Sequence, residues 1–135
     1  MLHEEVKSLS NLRLNNSKDL LKTAEALIEM GDYKSAANRS YYAIFNAMRA
    51  ELALLGEDYK SHKAVVSSFR KHFLKTEILD KGLSKTIAQL LELRTQSDYD
   101  DHFIISKEEV ITQVENAKIF VNAIESHLET TQQNE

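Results

Sequence analysis

The sequence predicts an all-α protein, an up-and-down bundle of four main helices plus one short helix. Three observations carry this. The 135 residues contain no Pro and 3 Gly, with an aromatic fraction of 7%. A β-sandwich of this size would need many more turn residues and aromatics. Apolar residues recur at helical spacing along most of the chain, and the stretches between them are short, which favours antiparallel neighbours. The length is that of one domain, so residues 1–135 read as a single unit, with 1–8 and 130–135 as frayed ends.

The first helix shows its face at Leu20, Leu21, Ala24, Leu27 and Ile28. It is expected from near Leu9 to Gly31, where a residue without Cβ accepts a left-handed cap. Asp32 then caps a second helix. Its apolar set, Ala37, Tyr41, Ile44, Phe45, Met48, Leu52 and Leu55, falls within an arc of about 100°. Its far side carries Ala43, Ala50 and Ala53 around Arg39, Tyr42 and Asn46 rather than a charged face. Small residues let a second backbone approach, so this helix is expected at the centre, ending at Gly56. Ser61 caps a short third helix with Val65, Val66, Phe69 and Phe73 inside. A fourth is expected from Leu79 or Asp80, repeating Leu83, Ile87, Leu90 and Leu91 and ending around Ser97 to Tyr99. After the acidic loop, Ser106 and Glu109 form a capping box for the last helix. Val110, Val114, Ala117, Val121, Ile124 and Leu128 make its seam.

Composition narrows the function. The net charge is -4, with 17 basic and 21 acidic residues, which argues against a general nucleic-acid coat protein. The absence of Cys removes disulfides, thiolate metal sites and a Cys nucleophile. The five His never occur as HxxxH or HExxH, and no ExxH pair marks a di-iron bundle. Neither GxGxxG nor a Walker-type loop is present, so no cofactor and no metal are expected. No apolar run approaches the length of a membrane span, and the N-terminus lacks the pattern of a signal peptide. A cytoplasmic protein with no membrane association is the expectation.

Charge is nonetheless uneven. Residues 59–75 hold five basic residues and no acid, whereas residues 98–135 hold nine acids and two Lys. Lys60, Lys63, Arg70 and Lys71 form a basic patch suited to a polyanion or an acidic partner. Arg39, Tyr42 and Asn46 stand at i, i+3, i+7, one polar stripe able to meet phosphate or base edges, or to seal a helix–helix seam. Arg94 and Asp98 are four apart and can pair. With Tyr99 and His102 nearby they could border a groove for an anionic ligand.

The run from Gly31 to Ala50, GDYKSAANRSYYAIFNAMRA, resembles the signature of the HEPN superfamily in its small stand-alone prokaryotic branch. Lys60-Ser-His62-Lys63 and the segment Arg94 to Tyr99 match in the same order, so the resemblance spans about Leu9 to Leu128. It implies a helical bundle, commonly a homodimer, with nucleic-acid-associated function. Many members are metal-independent endoribonucleases, often toxins paired with a small nucleotidyltransferase. In these an Arg steadies the phosphate, and a His that follows it after four to six intervening residues moves protons for 2′-hydroxyl attack. Here Arg94 matches the Arg, but Tyr99, Asp100 and Asp101 occupy the spacing and His102 falls one residue beyond. Asn46 stands where relatives of this branch often have His, and a neutral amide is no general base.

The expected function is therefore a dimeric RNA- or nucleotide-binding or regulatory module, with Arg39, Tyr42, Asn46, Arg94 and Asp98 holding the ligand. A toxin–antitoxin setting would supply a nucleotidyltransferase partner. The alternative is a metal-independent endoribonuclease using Arg94 with His102 or Tyr99. The alanine-lined back of the second helix is a second reason to expect a homodimer; the competing account is intrachain, with the first or last helix covering that face and the chain monomeric.

Overall fold

The computed structural model describes residues 3–133. Five α-helices follow in order: α1 Glu4–Glu29, α2 Tyr33–Leu54, α3 His62–Phe69, α4 Leu83–Tyr99 and α5 Lys107–Gln133. A single π-helical turn, Arg70–Leu74, continues α3. No strand occurs among the described residues. The predicted all-α bundle, four long helices and one short, is the observed one.

The helix ends follow local chemistry. At the end of α1, Gly31 adopts φ 80°, the amide of Asp32 donates to the Leu27 carbonyl, and that of Gly31 to Ile28. This is the Schellman arrangement, and it satisfies carbonyls that the helix leaves orphaned. Gly56, at φ 73°, repeats it after α2, with Glu57 donating to Leu52 and Gly56 to Ala53. Asp32, Ser61 and Ser106 accept hydrogen bonds from the amides of Ser35, Ala64 and Glu109. All three caps stand where their residue types place them.

Three boundaries differ from expectation. Helix α1 begins at Glu4 rather than near Leu9, and α5 runs through Gln133, so residues 4–8 and 130–133 are helical. Residues 1, 2, 134 and 135 lie outside the described part. Helix α4 begins at Leu83, not at Leu79 or Asp80. Leu79 is buried as its apolar character demands, but its amide donates to the carbonyl of Phe73 as the chain leaves the π turn. Asp80 turns back to accept from the Gly82 amide at 2.7 Å.

Helix α2 lies at the centre. Tyr41, Ile44, Phe45, Met48 and Leu52 are all buried, packed with side chains from α3, α4 and α5. Its alanine side is covered by α1. Ser10 donates to the Ala50 carbonyl at 2.8 Å and Ser17 to the Ala43 carbonyl at 2.7 Å, with Ala43, Ala50 and Ala53 buried. Small side chains bring the two backbones close enough for these hydroxyl bonds. The alanine face is therefore used within the chain and gives no reason for a second subunit. What α2 leaves uncovered is a polar stripe, Arg39, Tyr42, Asn46 and Arg49, each half-buried.

Candidate functional site

The stripe on α2 meets the end of α4 at Arg94. The guanidinium lies over two rings of α2, 5.5 Å from the centroid of Tyr41 and 5.6 Å from that of Tyr42. One of its terminal nitrogens donates to Tyr42 Oη at 3.3 Å. Its Nε approaches Asp98 Oδ2 at 3.1 Å, the expected i,i+4 pair. That N–H is not aimed at the carboxylate, however, and Nε is buried without a hydrogen-bond acceptor in the protein. Ser97, one turn away and 8% exposed, has a hydroxyl in the same condition. Buried polar atoms are rarely left unpaired, and of the four such side-chain atoms among the described residues two lie within one turn of α4, the others being Arg49 Nε and Arg70 Nε.

The floor of the site is aromatic. Tyr41 is fully buried, and burial raises its phenol to about 12, so it stays protonated throughout the working range. Tyr41 Oη and His62 Nδ1 share a hydrogen bond of 2.9 Å. The imidazole stacks on Phe45 with centroids 4.2 Å apart and stands edge-on to Tyr42. Burial lowers the pKa of His62, and the positive charges of Arg94 and Arg49 lower it further. At neutral pH it is a neutral imidazole, one nitrogen bonded to Tyr41 and Nε2 left for another partner.

Further along the stripe, Arg49 and Arg13 both donate to Asp58 Oδ1, each at 2.9 Å. Their hydrogen bonds hold that carboxyl below its usual range. This cluster fixes the turn after α2 against α1. Asn46 donates back to the carbonyl of Tyr42, and Arg39 donates to Asn38 Oδ1.

Of the residues singled out in the sequence, the structure thus brings Arg94, Asp98 and Tyr42 into contact, with Asn46 one helical turn further along. Arg39 lies on the same stripe, occupied by its neighbour. His102 sits in the exposed loop, where its amide donates to Asp100 Oδ1, and Tyr99 is 76% exposed. Among the described residues neither makes a hydrogen bond, ion pair or ring contact with Arg94. The basic patch divides. Lys63 and Arg70 line one cleft together with Tyr41 and His62, whereas Lys71 lines a different one with Glu57 and His72. Lys60 is exposed in the turn before α3. No three His, Asp or Glu side chains come together as a metal site among the described residues. Among the described residues no helix is long and apolar enough to cross a membrane.

Sequence reasoning missed His62 as a member of the site and took Tyr41 as core alone. The run Lys60-Ser-His62-Lys63 was conspicuous, but only tertiary packing places its imidazole against the rings of α2.

The sequence has relatives. The family model described as HEPN domain matches residues 10–127. A UPF0332 protein of Thermotoga maritima is 31% identical over 113 residues, covering 84% of this chain and 86% of that protein. One from Archaeoglobus fulgidus is 31% identical over 110 residues, covering 82% and 87%. A protein of Methanocaldococcus jannaschii named "Putative toxin MJ0142" is 30% identical over 115 residues, covering 85% of this chain and 78% of its own length.

Proposed function

This chain belongs to the HEPN family, and on that premise we propose that it is a cytoplasmic, dimeric, single-domain RNA-binding module of the toxin-like kind, which holds RNA without cutting it. One observation carries the reading. Arg94 is laid across Tyr41 and Tyr42 on the one face of α2 that the chain leaves uncovered, with its Nε unsatisfied. A guanidinium presented this way can grip a phosphate bidentately, and the rim of Tyr42 and Asn46 can meet a sugar or base. Asp98 holds Arg94 in place until a phosphate competes for it. The absence of cleavage follows from the separation of roles. The imidazole that would have to follow Arg94 in the chain, His102, faces solvent on a loop.

Two relatives carry the name "Putative toxin", which fits a toxin-like role; a pairing with a nucleotidyltransferase rests on the family resemblance alone. The homodimer rests on the family resemblance. Exposed Tyr99 and Ile104, 76% and 89% accessible, are apolar surface next to the site that a second copy would cover.

One observation favours ribonuclease activity as the second reading: His62 is a neutral imidazole held beside the rings under Arg94, and a neutral imidazole can accept a proton. The test is RNA binding and cleavage by wild type, Arg94→Ala and His62→Ala. The binding reading expects Arg94→Ala to weaken binding roughly tenfold or more, with intact RNA throughout. Cleavage by wild type that His62→Ala abolishes would replace it with the second reading.

A further inference from the structure

The cleft beside His62 does more than border Arg94. It is a pocket of about 450 Å³ between α3 and α4, lined by Tyr41, His62, Lys63, Val66, Arg70 and Lys75 among others. A second cleft of about 390 Å³ continues from it, lined by Arg70, Leu74, Lys75, Lys81 and Ser84. The two share Arg70 and Lys75, and no carboxylate lines either. Lys63 and Lys75 have no acidic partner among the described residues, whereas Lys81 pairs with Glu77 at 2.7 Å. Arg70 donates weakly to the Ser84 carbonyl at 3.4 Å, and its Nε is buried without an acceptor. In a chain of net charge -4 this concentration of unpaired cations is local.

The π turn builds it. The amide of Lys75 donates to the carbonyl of Arg70 at 2.9 Å, closing a ring of one residue more than an α-turn. The extra residue lets side chains five apart share a face, as those four apart do in an α-helix. Lys63 and Arg70, seven apart on α3, already share a side, and Lys75 now joins them. Lys71, one helical step round from Arg70, lines a different cleft with Glu57 and His72.

We propose that these tandem clefts are the track for single-stranded RNA: one base against His62 and Val66, the next in the second cleft, and the phosphate between them on Arg70 and Lys75. This deepens the RNA-binding reading by naming the strand form and the path of its backbone away from Arg94. Two nucleotide-sized pockets that share their cations fit a base–phosphate–base step better than a lone nucleotide, whose phosphates would have one pocket to spare. A duplex, with its bases stacked inside, would reach neither floor.

The experiment is fluorescence anisotropy with a labelled single-stranded RNA hexamer at several salt concentrations, with AMP and the duplex of the same sequence as competitors. Lys63→Glu/Lys75→Glu is expected to weaken binding at least about tenfold. The slope of log K against log salt should become shallower by about 0.7 for each phosphate that the variant no longer neutralises. Lys71→Glu, half that change of charge on the same segment, should stay within about twofold of wild type. Both Lys are exposed, and circular dichroism melting checks that the double variant is folded. The hexamer should outcompete AMP and the duplex. The track is overturned if Lys71→Glu weakens binding as much as the double variant, or if the duplex binds as well as the single strand. It is also overturned if the double variant binds normally while Arg94→Ala does not, which would leave the RNA-binding reading intact. No binding by wild type would remove both.

Discussion

Glu51 is 1% exposed in the middle of α2, and its only hydrogen-bonding partner among the described residues is His127 of α5, at 2.6 Å through Nδ1. Replacing His127 with Ala would leave a carboxylate inside the bundle with nothing to offset its lost hydration. Breaking a buried pair this way costs about 3–5 kcal/mol. His127 keeps 23% of its side-chain surface in water, so the low end applies, about 3 kcal/mol. For a chain of this length that is a fall in Tm of roughly 10 °C. The pair also sets a pH dependence. The hydrogen bond to Glu51, and then its charge, raise the pKa of His127 above 6.5. Burial raises that of Glu51 above 4.5, outweighing the contrary pull of His127. Both groups bind protons more tightly in the folded chain, so the unfolded state binds fewer. The His127 contribution is complete below pH 6.5 and is lost as pH rises through its higher folded value. His62, whose pKa is lowered, acts in the opposite sense, so the difference between wild type and variant is the quantity to follow. Urea unfolding between pH 5.5 and 9 should show that difference shrinking as pH rises. Glu51→Leu/His127→Ala, which removes the charge as well, should be more stable than His127→Ala alone. A cost below about 0.5 kcal/mol for His127→Ala, with no recovery in the double variant, would refute the reasoning.

Phe45→Ala removes a buried ring that carries the His62 stack, and should cost about 3–5 kcal/mol by denaturant unfolding. Gly56→Ala should cost roughly 1 kcal/mol, because φ is 73° there and a Cβ meets no atom within 4 Å, so only the backbone conformation is penalised. Light scattering at micromolar concentration should give twice the chain mass of 15.4 kDa, and Tyr99→Glu/Ile104→Glu should return it to the monomer value; a monomeric wild type contradicts the dimer.

The helices were legible in the sequence because their signals are local. Each of the residues Gly31, Asp32, Gly56, Ser61 and Ser106 acts on backbone groups a few positions away, and each ends or begins a helix where its type requires. The arc of Tyr41, Ile44, Phe45, Met48 and Leu52 predicted burial correctly, because a stripe on one helix has only one way to face the core. What failed depended on tertiary contacts. The alanines of α2 announced close packing but not its partner, which is α1 held by Ser10 and Ser17 rather than a second subunit. Leu79 kept its apolar destination while leaving the helical pattern, because the π turn before it holds its amide. Arg70 and Lys71, read along the sequence as one basic patch, line different clefts because consecutive helical residues point about 100° apart. Arg94 with Asp98 was readable from spacing. His62 was not, since 21 residues separate it from Tyr41 and only folding joins them.

The central claim is that this HEPN chain holds single-stranded RNA through Arg94 and leaves it whole. It is tested most directly by incubating an end-labelled single-stranded RNA with excess wild-type protein, in chelator and again with added Mg²⁺, and running the sample on native and denaturing gels. The account predicts a shifted band on the native gel that Arg94→Ala abolishes, and full-length RNA on the denaturing gel under both conditions. An unshifted RNA, or discrete fragments ending in 2′,3′-cyclic phosphate, would contradict it.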